Sequence, residues 1–407
     1  MTQPEQYALS VRPSRRCARN LAALLPVLLA MFGPPSDANA QPRLKTYQTR
    51  YYTLHTDLDE AGVQEATLRI TLMAEEYNRR TQGLAGSVNQ RLPFYLFKNR
   101  EDYYAAGGMP GSDGVYMGVG LMAITDPTKD PTYAWQVIQH EGFHQFVHAT
   151  MGNGIPIWAN EGMAEYFAEG IWTGDQFIVG LIPEARRRRI RDKIASQGYI
   201  SLYEMMHMSH EAWVSVLTGD NYDLAWSMVH FLAHGDDGRY EQAFMSYLRD
   251  VAHRMPSDRA WKKSFGNDVA AFQQRWEAYW LGLPERPTGE LYTQTVVSTI
   301  TSFYARAISQ RQTFDTPEAF FEAAGRGELQ AHKDDWLPPT LLERALINAP
   351  RAGTWAFEKQ PGKRPPLLSC TLYDDTVLLG QFKYGNKRVK SVCVESKPPG
   401  KKKPKRK

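Results

Sequence analysis

With 407 residues, 43 % of them hydrophobic and 10 of them Trp, the chain has enough apolar material for a sizeable core, which excludes an intrinsically disordered chain and a small disulfide scaffold. The formal charge of +4 is a property of the ends: Arg12, Arg15, Arg16 and Arg19 lie in the first forty residues and Lys401 to Lys407 holds six more cations, so the body between them is net acidic. That balance points away from a nucleic-acid partner and leaves the basic tail as a contact for an anionic cell-envelope polymer or as a solvated end.

In chain order, the first segment reads as a signal peptide over residues 1–40. Its arginines precede the apolar run Leu21 to Phe32, and Ala38-Asn39-Ala40 supplies a cleavage site. The run is too short to span a bilayer in the mature protein, and no later segment is long and apolar enough to do so. An exported location is therefore expected: periplasmic, cell-envelope or secreted. Lys45 to Thr53 reads as a strand, Asp59 to Arg80 as an amphipathic helix and Arg91 to Phe97 as a second strand. Gly108 to Gly114 reads as a turn, and Val115 to Ile124 as a third strand.

Next comes His140-Glu141-Gly142-Phe143-His144, the pattern H-E-x-x-H. Trp135, Ile138, Phe143 and Val147 recur at close to helical spacing, so the motif lies on an amphipathic helix that Met151-Gly152-Asn153-Gly154 and Pro156 terminate. On a helix, residues i and i+4 share a face, so His140 and His144 aim two imidazoles at one point, and Glu141 stands where a carboxylate can hold a water. A catalytic zinc takes three protein ligands and keeps one position open. His148 continues the i+4 series but stands about 12 Å along the axis from His140, too far to converge on a metal with bonds of about 2.0 Å. The third ligand must come from another element, and Glu161, near the start of a second helical run from Asn160 to Glu169, is the candidate.

The segment Trp158-Ala159-Asn160-Glu161-Gly162-Met163-Ala164-Glu165 resembles the W-x-N-E-G-x-A-E stretch of gluzincin metallopeptidases, most closely the peptidase-MA-like group of secreted domains of unknown function. The resemblance covers roughly residues 45 to 282. It implies zinc held by His140, His144 and Glu161, Glu141 as general base, and Glu165 bonded to a ligand histidine, which would fix that ring's orientation. Gluzincins also use a Tyr or His from the helical lobe to donate to the oxyanion. The segment Asn221 to His230 resembles that helix, with Tyr222 the first choice and His230 the second; Tyr222 can equally pack on Trp226 at i+4. Two features depart from the family. His144 and Glu161 are 17 positions apart, slightly fewer than in the best-known members. Gly114 to Ala123 also lacks the Glu and Asn with which the aminopeptidase branch captures a free amine, which favours an endopeptidase.

The expected fold is α+β: a two-lobed gluzincin-like domain over residues 41–283, with a strand-rich N-terminal lobe, the active-site helix and a helical C-terminal lobe. Pro183–Ala195, Leu202–Met208, Asn221–His234, Tyr240–His253 and Asp268–Leu281 form the helical lobe. Arg186 to Arg189 point all round their helix and read as solvated surface. Pro284 to Pro287 marks a boundary, followed by a helical connecting region to residue 350, a small β-rich unit over residues 351–396 and the basic tail at 397–407. Cys17 leaves with the signal peptide. Cys370 and Cys393 are an even pair in an oxidising compartment, so a disulfide across the small β unit is expected. The function expected is a zinc-dependent peptidase acting on a peptide or protein substrate; the alternative is a non-catalytic exported binding protein that retains the fold.

Overall fold

The computed structural model describes residues 44–399 except 85, 87, 119, 127–129 and 216–218. The signal peptide, Cys17 and the basic tail from Lys401 onward lie outside the described residues. The architecture is α+β. Strand β1 (Lys45–Gln48) and β2 (Tyr52–Thr56) form an antiparallel pair, α1 (Glu60–Arg80) follows, and β3 (Leu92–Phe97) lies parallel to β2. A short helix α2 (Arg100–Ala105) leads to β4 (Gly114–Tyr116) and β5 (Leu121–Ile124). The sheet order is β1-β2-β3-β5-β4, with β5 parallel to β3 and β4 antiparallel at the edge.

Two expected single strands are in fact hairpins. Lys45 to Thr53 breaks after Gln48, where Thr49 N donates to Tyr52 O (2.8 Å) and the chain reverses. Val115 to Ile124 breaks at Met117, whose N–H bonds Gly120 O (3.4 Å), with Gly118 at φ +79°. The apolar pattern runs through both stretches, and only the turn chemistry, Gly118 in the second, marks the reversal.

Helix α1 starts on Asp59, whose side chain accepts from Gly62 N, and ends with Arg79 and Arg80 in its last turn, where cations suit the helix dipole. The motif helix α3 runs Pro131–Met151, with Pro at its first position, Asp130 accepting from Thr132 N and Gly152 closing it at φ +65°. Helix α4 (Ile157–Ala168) begins three residues before the expected run, so Glu161 stands in its second turn. After a small hairpin, β6 (Ile171–Trp172) with β7 (Phe177–Ile178), come α5 (Glu184–Ser196), α6 (Leu202–Met206), α7 (His210–Ser215), α8 (Gly219–Gly238), α9 (Glu241–Ala252), α10 (Ser257–Phe265) and α11 (Val269–Gly282).

One contiguous core joins sheet residues Leu54, Phe94 and Leu121 to α1, α3, α4 and the later helices. Past Pro284–Pro287 the chain enters α12 (Gly289–Ser309), which is buried along most of its length. Its Ser298 hydroxyl bonds Thr173 Oγ1 (2.9 Å), and Arg306 pairs with Asp175 (2.8 Å), so this helix packs directly on the hairpin that follows α4. Helices α13 (Pro317–Gly325) and α14 (Pro339–Ala352) lead to an antiparallel sheet of β8 (Thr354–Glu358), β9 (Leu367–Thr371), β10 (Val377–Gly385) and β11 (Arg388–Lys397), which packs one face on α12. No helix of the described residues is long and apolar enough to cross a membrane.

The expected disulfide is not formed: Cys370 is a buried free thiol and Cys393 an exposed one. The register explains it. Cys370 on β9 pairs with Leu378, and Cys393 on β11 pairs with Gln381, so all of β10 stands between them, roughly 9–10 Å at the usual strand spacing. Leu378 and Gln381 are an odd number apart on β10, which puts the two thiols on opposite faces of the sheet.

Candidate metal centre

Side chains on α3 and α4 form the site, and buried polar contacts set the angle between the two helices. Gln139, one residue before His140, donates through Nε2 to Phe167 O (2.9 Å), Ala168 O (3.1 Å) and Gly170 O (3.0 Å), capping the open carbonyls at the end of α4. Gln145 donates to Pro93 O (2.8 Å) and ties α3 to the sheet. Gly162 lets α4 lie against α8, since a Cβ there would stand 2.5 Å from Ala225 O.

Within that frame His140, His144 and Glu161 each offer one ligand atom, all within 4.8 Å of one another. His140 Nε2 is 3.0 Å from His144 Nε2, and Glu161 Oε2 is 3.3 Å from the former and 3.4 Å from the latter. The three side chains are 12–15 % exposed, sunk in the protein yet open on one side. Three donors at bonds of about 2.05 Å in a tetrahedral arrangement lie roughly 3.3 Å apart. The two-imidazole, one-carboxylate set therefore fits a divalent cation of the zinc class.

The carboxylates next to the cluster are held. Glu141 Oε2 accepts from Tyr116 N (2.8 Å), the last residue of edge strand β4. Glu165 Oε1 lies 3.1 Å from His140 Nδ1, the contact the resemblance implied, and its other oxygen pairs with Arg186. Arg186 also reaches Glu169 (3.3 Å) and Asp223 (3.2 Å), with its guanidinium 5.1 Å from the centre of the Trp226 ring. Asp223 in turn accepts from Arg189 (2.9 Å).

Arg186 is therefore not the solvated surface residue its position in a run of arginines suggested. It is 13 % exposed and contacts a buried group of three carboxylates. A signal was present in the sequence: Arg186, Ile190 and Ile194 are four apart, and both isoleucines are buried, so Arg186 lies on the inward stripe of α5. Gln139 and Tyr116 gave no comparable signal, because their roles depend on contacts distant in the chain.

The charges follow from this packing. Burial alone would raise the Glu161 carboxyl, but hydrogen bonds from His140 and His144 bring it down to about 2. Glu165 is likewise held well below the usual carboxylate range, because Arg186 and His140 outweigh its burial. Burial favours a neutral His140, yet its bonds to Glu161 and Glu165 hold a proton on the ring. A proton and a cation therefore compete for this imidazole.

Tyr222, on α8, has its ring centre 6.3 Å from that of His140 and packs edge-on against Trp213 at 5.6 Å; Trp226 is not among its ring contacts. Burial, then the nearby Glu161, push its hydroxyl up to about 12, so it stays a donor. His230 lies elsewhere, bonded to Gly180 O (3.1 Å) and packed among Tyr166, Trp226, His234 and Trp280. His148 is exposed, stays out of the cluster and meets the Tyr116 hydroxyl through Nδ1 (2.5 Å).

Residues 135–258 match a family described as Protein of unknown function (DUF1570). The match begins at Trp135 on α3 and ends at Asp258 on α10, so it takes in His140, Glu141, His144, Glu161, Glu165, Arg186 and Tyr222, although it covers well under half of the chain. No curated protein matches the chain. Beside the cluster, a cavity of about 680 Å³ opens along His144 and Glu161, walled by Tyr116, His148, Asn160 and His210 with Val147, Ile155, Ile157 and Met208.

Proposed function

We propose that the chain is an exported, zinc-dependent peptidase of gluzincin type, with the metal held by His140, His144 and Glu161. The observation that carries this reading is the meeting of a three-donor cluster with a separate carboxylate, Glu141, that is none of the ligands and is anchored by a backbone N–H of the neighbouring edge strand. A site that only binds a metal has no use for that additional carboxylate. A zinc ion in the cluster would supply Lewis acidity, polarising a carbonyl oxygen and making a water easier to deprotonate.

The side chains divide the remaining work. Glu141, held in place by Tyr116 N, takes a proton from the attacking water and returns it to the leaving amine. Tyr222 donates a hydrogen bond to the oxyanion that develops on the scissile carbonyl. Glu165, fixed by Arg186, holds the His140 ring through Nδ1 so that Nε2 faces the cluster. The open cavity beside His144 and the absence of the amine-capturing pair from Gly114 to Ala123 favour internal cleavage of a peptide or protein over removal of N-terminal residues.

Digestion of a peptide library by the purified protein tests the reading. Cleavage is expected, abolished by chelator, restored by zinc, and reduced at least 100-fold in Glu141→Gln. Full cleavage by Glu141→Gln would overturn the assignment of the base. Failure of the zinc-loaded protein to cut any member would leave a non-catalytic binding protein in its place.

A further inference from the structure

A second cavity, of about 740 Å³, lies on the N-terminal half of α3, walled by α3, α12, α14 and the start of α5. Its lining includes Arg69, Arg286, Arg344 and Arg351. The acids that line it, Glu169 and Glu184, are already engaged from outside: Glu169 by Arg186 (3.3 Å), Glu184 by Arg187 (2.7 Å) and Arg188 (3.1 Å). Arg344 bonds Asp130 and Thr132 (both 2.8 Å), and Arg286 and Arg351 have no ion-pair partner among the described residues. The cavity therefore carries a surplus of positive charge.

Arg69 stands out among these cations. It is 11 % exposed, and its guanidinium lies between the rings of Trp135 and Trp172, 4.5 Å from each centre. Indole faces on both sides satisfy the flat surfaces of a guanidinium but not its edge. Its Nε lies 3.1 Å from Glu65 Oε1 but is left without a hydrogen-bond partner. Burial, with Arg344 nearby, pushes its pKa down to about 10 despite Glu65, the mark of a cation short of counter-charge. Independently, Trp172 is 3 % exposed and its indole Nε1 has no hydrogen-bond partner. A buried N–H without an acceptor costs free energy that an incoming oxygen would recover.

We infer that this cavity binds an oxyanion-bearing small molecule, a carboxylate or a phosphate, with its charged end on the Nη groups of Arg69 and an oxygen within reach of Trp172 Nε1. Arg344, Arg286 and Arg351 steer the anion in, and Trp135 and Trp172 hold the receiving fork in one plane. The inference is independent of the metal reading. Arg69 belongs to α1, and the cavity uses Trp135 and Gln139 of α3 rather than the histidine face.

Titration calorimetry of the full chain with inorganic phosphate and, separately, succinate tests it. Phosphate also binds metals, so native and variant proteins are compared after dialysis against a chelator. Saturable one-to-one binding of at least one probe is expected. Tighter phosphate would mark a phosphorylated ligand, and tighter succinate a carboxylic acid. Arg69→Lys, which keeps the charge and loses the stacked fork, should weaken binding at least tenfold. Trp172→Phe, which keeps the ring and loses the donor, should weaken it severalfold and serves as the deciding variant if Arg69→Lys fails to fold. Binding of neither probe, or affinity unchanged in a folded variant, would overturn the inference.

Discussion

The two larger sheets of this molecule show what each kind of packing supports. The N-terminal sheet is covered on both faces: Leu54, Phe94 and Leu121 face the main core, while Met122 and Ile124 join Phe97, Tyr103 and Val115 in a separate cluster on the other side. In the C-terminal sheet Leu368, Cys370 and Leu378 are buried against α12, while most residues of the edge strand β11 are exposed. A sheet gripped from both sides fixes its edge strand, and that edge delivers Tyr116 N to Glu141. The sheet with the exposed edge strand carries no cluster of metal-binding side chains among the described residues. The lesson is that the candidate chemistry lies where side chains are over-determined.

Substitutions should therefore differ in effect between the two regions. The largest stability effect is expected at Arg186. Arg186→Ala leaves Glu169 without its ion-pair partner and takes one of two partners from Glu165 and Asp223 in a buried space, and breaking such a pairing costs about 3–5 kcal/mol. Lys397→Ala, which removes a half-exposed pair with Glu395, should cost less than about 0.5 kcal/mol. Denaturant unfolding compares the two, and equal costs would erase the contrast.

A smaller effect is expected where the second sheet meets its helix. A Cβ on Gly380 would lie 2.0 Å from Thr301 Oγ1, so Gly380→Ala should loosen the sheet from α12 by about 1–3 kcal/mol. Metal binding should be unchanged, as judged by zinc titration of the variant. Loss of the metal would mean that the two regions are one cooperative unit.

The regions should also differ in their response to pH. Burial, then the neighbouring His234, brings His230 down to about 3; burial, then Arg80, brings His234 down to about 4. Both values lie below that of an unfolded histidine, about 6.5, so the unfolded chain takes up more protons as the solution acidifies. The stability these rings contribute is complete above pH ~6.5 and is lost as pH falls, down to about 4 for His234 and about 3 for His230. The slope is at most about 1.4 kcal/mol per pH unit per histidine. The C-terminal sheet contains no histidine. Hydrogen exchange at pH 7 and pH 5 should show α8 losing protection before β9 and β10, and His230→Gln should reduce the difference.

The smallest effect concerns the thiols. Cys393 should alkylate rapidly in the folded protein and Cys370 only on unfolding, with no change in stability on adding reductant. Mass spectrometry of the non-reduced protein checks this, and a sample lacking two free thiols would contradict the register of β9, β10 and β11.

How much of this was legible in the sequence follows from the range of the interactions. Helix α3 and its C-terminal end could be read, because the apolar spacing and Gly152 act within a few residues; its start at Pro131 was not assigned. The meeting of His140 and His144 follows from helix geometry alone. Glu161 was reachable through the resemblance of Trp158 to Glu165 to the gluzincin segment, which implied it as the third ligand. The hairpins hidden in Lys45–Thr53 and Val115–Ile124 were missed, since the apolar pattern outweighed the turn signal, which in the second was Gly118 and Gly120. The Cys370–Cys393 pairing failed because sequence proximity says nothing about which strand lies between. Arg186 and Arg187 were misjudged because a run of arginines shows charge to the reader, while the fold buries Arg186 against Glu165 and Arg187 against Glu184. The surplus charge around Arg69 needed α1, α12 and α14 to be brought together and had no local trace.

The central claim is that His140, His144 and Glu161 hold a catalytic metal, and elemental analysis of purified protein tests it most directly. The account predicts about one zinc per chain in the native protein, the same in Glu141→Gln, and a fall below about one-tenth in His144→Ala, where one of three ligands is gone. A native protein that takes up no zinc, or a His144→Ala variant that keeps its full complement, would contradict it.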